Sequence, residues 1–165
     1  DGTRLGIALS DEPSGKLTFN LGTVQGDAAS FIIRINYRYP VTKTYEDCAP
    51  ILNQAFAESG FTQLKEIHKK CLYLPENSPL VQTLLRVYAE QTGLPPYPKS
   101  IGGGTYAKHF ENAVAFGPGF HGTPNPCPEG KGEEHMPDEC NNIECMFKAL
   151  KIYILSLIGL NELSL

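Results

Sequence analysis

Apolar and polar residues alternate in the segment GKLTFNLGTVQ, which puts Leu17, Phe19 and Leu21 on one face, the period expected of a strand. Glycines at 15, 22 and 26 punctuate it. In ASFIIRINYRYP, Phe31, Ile33, Ile35 and Tyr37 share one face of a second strand, and Ile32, Arg34, Asn36 and Arg38 share the other. Pro40 should end that strand, because proline cannot continue a ladder. A helix is predicted next. Thr44 or Asp47 could cap it, and Pro50 favours Asp47, since proline is tolerated in the first turn only. Ile51, Leu52, Ala55 and Phe56 form its apolar stripe, and Gly60 is its stop. A further strand is predicted within 61–74. Two strands, a helix and a strand over this length predict an α+β arrangement: a small antiparallel sheet with helices on one face.

The texture changes at LPENSP, residues 74–79, where Ser78 can cap a helix that has Pro79 at its first position. Leu80, Leu84, Val87 and Tyr88 line one side of this helix and Gly93 ends it. LPPYPK reads as a stiff linker. It leads to the glycine block IGGGTYAKHFENAVAFG and a strand predicted over 113–116. Residues 117–140 are a long Gly/Pro-rich loop, a length that is usually functional or disordered. The last helix should begin near Asn141 or Asn142, with Ile143, Met146, Phe147, Leu150, Tyr153, Ile154 and Leu157 as its apolar face. The division expected is therefore 1–75 and 76–165.

Composition narrows the class. A chain of 165 residues can bury about 70% of its unfolded surface. Its 41% hydrophobic and 19% charged residues are ordinary for a globular protein. A net charge of −4 with scattered Lys and Arg argues against nucleic acid as a partner. No apolar run is long enough to span a bilayer, so no membrane partner is expected. No signal peptide is legible, and the opening DGTRLGIALSD lacks methionine and reads as domain interior, so a piece of a longer protein is expected. Five irregularly spaced cysteines (48, 71, 127, 140 and 145) predict reduced thiols in a cytoplasmic protein.

Three constellations could carry chemistry. GGGTYAKH is not a phosphate loop, since it lacks the Lys-Ser/Thr pair and Ala107 occupies the third glycine position of G-x-G-x-x-G. It is either a flexible turn or a backbone wall against a ligand. In EEHMPDE, His135 lies among Glu133, Glu134, Asp138 and Glu139, either merely solvated or a zinc ligand. A catalytic zinc takes about three protein ligands. His68, His109 and His121 show no ligand pairing, so any partners of His135 would lie outside this chain. A knuckle from Cys127, Cys140 and Cys145 with His121 or His135 lacks the usual C-x-x-C pair. Finally, Arg34, Asn36 and Arg38 form either an exposed polar face or a carboxylate or phosphate receptor, with Arg38 at the strand end. No Ser/His/Asp order or G-x-S-x-G elbow appears, so nothing suggests nucleophilic catalysis.

Together these segments resemble the C-terminal part of a zinc-dependent dipeptidase of the aminoacylase/carboxypeptidase superfamily, in its PepV-like bacterial branch. SDEPSGKLTFNLG resembles part of the lid domain, and INYRYP the lid strand with a substrate-binding arginine. SPLVQTLLRVYAEQTG resembles the helix re-entering the catalytic domain. IGGGTYAKHFENAVAFGPGF and HMPDE resemble the substrate loop and the last metal-ligand motif.

The resemblance implies a lid segment over 1–75 and an α/β catalytic segment over 76–165. His135 would be a ligand of one of two zinc ions, with manganese or cobalt as substitutes. Arg38 would hold a dipeptide's C-terminal carboxylate, and Gly102, Gly103 and Gly104 would meet the ligand through backbone. The family's H-x-D motif, bridging Asp and Glu-Glu pair have no counterpart here, and the lid's oxyanion-stabilising His and Asn are also missing. Cys140 stands where an aromatic is usual, and the 118–134 loop is longer than expected. The chain should therefore be inactive alone, with no catalytic residue of its own, and partnered by the N-terminal part of the same enzyme or by a second copy. The alternatives are a non-catalytic relative serving peptide binding or dimerisation, and a hydrolase of N-acyl amino acids.

Overall fold

Strand periodicity in the first third forms two antiparallel ladders. The computed structural model describes residues 2–117, 119–120, 122–124 and 126–163. Strands β1 (Ser10–Asp11) and β2 (Gly15–Lys16) make a minimal pair, and β3 (Thr18–Gly26) pairs with β4 (Phe31–Arg38). The β3–β4 turn is closed by Asp27, whose carboxylate accepts the N–H groups of Ala29 and Ser30 at 2.8 and 3.0 Å. β4 ends before Pro40, as expected.

A β-bulge at Gly22 explains a pattern that simple alternation would break. Leu21 lies opposite Ile35, Gly22 has no partner, and Thr23 lies opposite Arg34. One extra residue re-phases β3, so Leu21 and Val24, three apart, both oppose residues of the Ile33/Ile35 face. Thr18, Asn20 and Thr23 oppose Arg38, Asn36 and Arg34 on the other face.

Helix α1 (Ala49–Glu58) carries Pro50 in its first turn. Its N-cap is Cys48, which makes no side-chain cap bond, and this corrects the expected Asp47 or Thr44 cap. Those two residues bond each other instead: Thr44 N–H donates to the Asp47 carboxylate at 2.7 Å, and Asp47 N–H to the Thr44 hydroxyl at 3.3 Å. Of the expected stripe, Leu52 is buried, Ala55 and Phe56 are half-buried, and Ile51 is exposed. Ile7, Leu17, Cys48 and Leu52 form the core of this part, with Phe19, Tyr37, Tyr39 and Phe56 packed against it.

Residues 61–74 form no ladder, contrary to the predicted strand. Lys65, Glu66, Lys69 and Lys70 leave little to bury, and Leu64 and Ile67 are exposed. The segment is held by rings instead, Phe61 meeting Phe31 and Phe56 edge-on at 5.5 and 5.8 Å. The segment 113–116 is likewise irregular where a strand was predicted, and a single 3₁₀ turn (Tyr106–His109) precedes it. Four residues after a glycine-rich turn, with no described neighbour to pair with, cannot close a ladder.

Helix α2 (Pro79–Thr92) matches its sequence signals. Ser78 accepts from Val81 N–H at 3.4 Å, Pro79 stands at the first position, and Gly93 adopts the left-handed conformation at φ 69° that suits glycine. Its buried residues are Val81, Thr83, Leu84 and Val87; Leu80 and Tyr88 are only half-buried.

Helix α3 (Ile143–Asn161) starts where expected, with the Asn142 side chain accepting from Glu144 and Cys145 N–H at 2.9 and 3.2 Å. Its buried face is not the expected one. Ala149, Ile152, Ser156 and Gly159 are buried, whereas Phe147 is 69% and Leu157 67% exposed. Small residues let α3 approach α2 closely: a Cβ at Gly159 would stand 3.1 Å from the Thr83 methyl.

The chain divides into two units, one of Asp1–Tyr73 with Ser100–Gly104 and one of Leu74–Lys99 with Thr105–Leu165. Cys127 and Cys140 are joined by a disulfide, correcting the expectation of reduced thiols for this pair. Cys48, Cys71 and Cys145 are free. No described helix is long and apolar enough to cross a membrane.

Candidate functional site

Arg38 is the last residue of β4, and the chain immediately beyond it is pinned. The Asp11 carboxylate accepts the Thr42 N–H at 2.9 Å and the Ser14 N–H and hydroxyl at 2.7 Å. The Ser14 hydroxyl in turn accepts the Val41 N–H at 2.9 Å. Partial burial opposes the charge on Asp11, but these hydrogen bonds outweigh it and bring the carboxyl to about 2. The turn between β1 and β2 thereby fixes residues 41 and 42.

The glycine block reaches the same place from far along the sequence. A Cβ at Gly102 would stand 2.6 Å from Nη1 of Arg38 and 3.3 Å from its Cδ. Gly102, Gly103 and Gly104 all avoid positive φ, so backbone handedness does not call for glycine there. The close approach at Gly102 is made by the arginine head itself. Gly103 is looser, with only Ile101 Cδ1 at 3.9 Å from its would-be Cβ. All three glycines are exposed. Arg38 and Gly102 are thus brought together within the first unit.

Neither Arg34 nor Arg38 has a carboxylate partner among the described residues, whereas Arg86 pairs with Glu90 at 3.1 Å. Arg38 therefore presents a guanidinium whose donors are available to a carboxylate, which it can meet bidentately.

His135 lies in the second unit, exposed, with its N–H donating to the Glu139 carboxylate at 3.0 Å. Its φ of 68° is the left-handed conformation, uncommon for a residue with a Cβ. Among the described residues no three His, Cys, Asp or Glu side chains converge as a metal site would require. Cys127 and Cys140 are consumed by their bridge, and His121 lies outside the described residues. An open concavity of about 400 Å³ is lined by Gly2, Thr3, Arg4, Leu5 and Phe19, none of them a candidate residue.

A cluster with no sequence signal surrounds His68. Its Nε2 lies 2.7 Å from the Tyr39 hydroxyl, and its ring sits 4.5 Å from that of Tyr45. Tyr45 donates to the Glu66 carboxylate, which pushes the phenol up to about 12. Burial first, and then the Glu66 charge, push Tyr37 up to about 12 as well. With 29 residues separating Tyr39 from His68, no local pattern could announce this contact.

No family model matches the chain. It is 34% identical over 154 residues to a Bacillus subtilis protein named "Putative dipeptidase YtjP", covering 92% of this chain and 31% of that protein. A Staphylococcus epidermidis protein named "Putative dipeptidase" is 35% identical over 121 residues, 72% of this chain and 26% of its own length. A Staphylococcus haemolyticus protein, "Putative dipeptidase SH1171", is 28% identical over 161 residues, 96% of this chain and 33% of its own length. The chain thus spans about a third of the length of the curated relatives it matches, and along nearly its whole length it is similar to proteins named as dipeptidases.

Proposed function

We propose that this chain is part of a metal-dependent dipeptidase, contributing a carboxylate clamp and one metal ligand. The apposition of Gly102 to the Arg38 guanidinium carries the reading, because it joins the glycine block and the strand arginine in one place. The similarity to proteins named putative dipeptidases supports it.

Arg38 binds the substrate's terminal carboxylate, and the missing side chain at Gly102 leaves the head room to do so. Gly103, whose Cβ would meet only Ile101 at 3.9 Å, and Gly104 continue the backbone beside it. His135 fits one imidazole ligand of a zinc centre; the exposed ring and acidic neighbours suit that role, and the remaining ligands and general base come from a longer polypeptide. When bound, zinc (or manganese or cobalt) supplies an activated water for attack on the scissile carbonyl. The chain alone is therefore inactive. A cytoplasmic setting belongs to this proposal, and the Cys127–Cys140 bridge pulls against it, since cytosolic buffers keep most disulfides reduced.

The test is hydrolysis of a dipeptide panel, with added zinc or manganese, by the 165-residue chain beside the full-length gene product. Turnover by the full-length product alone is expected, with KM raised by Arg38→Gln. Turnover by the short chain, or an Arg38→Gln variant with unchanged KM, overturns the reading. Activity restricted to N-acyl amino acids would favour the acylase alternative.

A further inference from the structure

The polar face of the β3–β4 ribbon holds more than the clamp needs. Beyond Ile32 opposite Gln25, it carries Arg38 opposite Thr18, Asn36 opposite Asn20, and Arg34 opposite Thr23. That is two guanidiniums, two carboxamides and two hydroxyls, with no carboxylate among these pairs. The bulge at Gly22 is what brings Thr23 onto this face opposite Arg34. Arg34 is exposed and has no acidic partner among the described residues, whereas Arg86 on α2 has Glu90.

Arg34 and Arg38 are four apart on one strand, so their Cα atoms lie about 13 Å apart. Strand side chains stand roughly perpendicular to the sheet and lean the same way along it, so the two guanidiniums keep about this spacing with Asn36 between them. Such a face complements two carboxylates joined by a short polar linker. The amides of Asn20 and Asn36, directly opposite each other, offer donors and acceptors to whatever joins them.

We propose that Arg34 is a second carboxylate-binding position, which selects dipeptides with an acidic C-terminal residue. The α-carboxylate takes Arg38 and the side-chain carboxylate takes Arg34. This rests on the dipeptidase reading for Arg38 alone; the choice of acidic substrate comes from Arg34.

The experiment compares binding of Ala-Glu and Ala-Gln to the 165-residue chain, followed through the amide resonances of the β3–β4 ribbon. The two ligands have nearly the same shape and differ in one charge. Ala-Glu should bind about tenfold more tightly, the scale of one charge-assisted hydrogen-bonded pair. In Arg34→Gln that ratio should fall to about one, with Ala-Gln affinity unchanged as the sign of an intact fold. Arg34→Lys should retain part of it. Arg38→Gln should weaken both ligands alike. A wild-type ratio near one, or an Arg34→Gln ratio equal to wild type, overturns the proposal and leaves the clamp standing if Arg38→Gln still weakens both. An Arg38→Gln variant that binds both ligands normally overturns the clamp instead. Binding of neither ligand by the wild-type chain overturns the two together.

Discussion

Gly102 stands against the guanidinium of Arg38 so closely that a methyl group there would lie 2.6 Å from Nη1. The obstructing atom is the far end of a flexible side chain, so Gly102→Ala should displace the arginine and leave the backbone in place. We expect a stability change under about 1 kcal/mol. Affinity for a carboxylate ligand should fall about tenfold, as one charge-assisted contact is lost. Gly103→Ala, whose Cβ would meet only Ile101 at 3.9 Å, is the control and should bind normally. Equal losses in both variants would mean that Arg38 is not what makes glycine necessary.

The two faces of α3 make opposite predictions about stability. Ile152 is 4% exposed on the face shared with α2, and Ile152→Ala should cost about 2–4 kcal/mol in denaturant unfolding. Phe147 is larger but largely exposed, and Phe147→Ala should cost under about 1 kcal/mol. If Phe147→Ala destabilised the chain as much as Ile152→Ala, the assignment of the buried face would be wrong.

That helix also marks the limit of what sequence conveys. The α2 ends were legible because capping is local: Ser78, Pro79 and Gly93 each act within a few residues of their own position. The face of α3 was not. Large apolar residues occur around most of its circumference, so periodicity pointed to the largest ones, and packing against α2 selected the small ones. The alternation in β4 separates half-buried Ile33, Ile35 and Tyr37 from exposed Arg34, Asn36 and Arg38, while Phe31 at the strand's start is exposed although it shares the first face. The bulge at Gly22 could be read only through register, because Leu21 and Val24 share a face once an extra residue is inserted. The strand predicted over 61–74 failed because Phe61 meets the rings of Phe31 and Phe56 while Leu64 and Ile67 stay exposed, and no described strand pairs with the segment. In the candidate site, Arg38 and the glycines were legible as residue types. Their apposition joins positions 38 and 102, and the His68 cluster joins 39, 45 and 68, distances no local pattern spans.

Asp11 makes the loop after Arg38 pH-sensitive. Its carboxyl is held at about 2 in the folded chain, below the ordinary 3.8, so the charged form contributes stability above pH 3.8. That contribution is lost as pH falls from about 4 to about 2. Asp11→Asn should therefore be less stable than wild type at pH 7, with the difference shrinking across this window. Measuring unfolding of both proteins at several pH values between 7 and 2 checks it. A difference independent of pH would mean that the carboxylate acts through shape alone.

The proposed zinc-ligand role of His135 and its backbone conformation make opposite predictions about stability. Its φ of 68° is a conformation that glycine adopts freely and other residues adopt at a cost of about 1 kcal/mol or more. His135→Gly should relieve this cost, less the entropy glycine adds to the unfolded chain, so the metal-free variant should melt at or above the wild-type temperature. His135→Ala keeps the strain and should melt below His135→Gly. In the full-length product the order should reverse once zinc is added. Wild type then gains stability by binding metal in the folded state only, and neither variant does so to the same extent. Melting curves with and without zinc for the three proteins decide the matter. A zinc-induced rise of equal size in wild type and His135→Gly would exclude His135 from the metal's ligands. A fall in the metal-free stability of His135→Gly below that of His135→Ala would show that the imidazole, and not the backbone conformation, governs the fold of this loop.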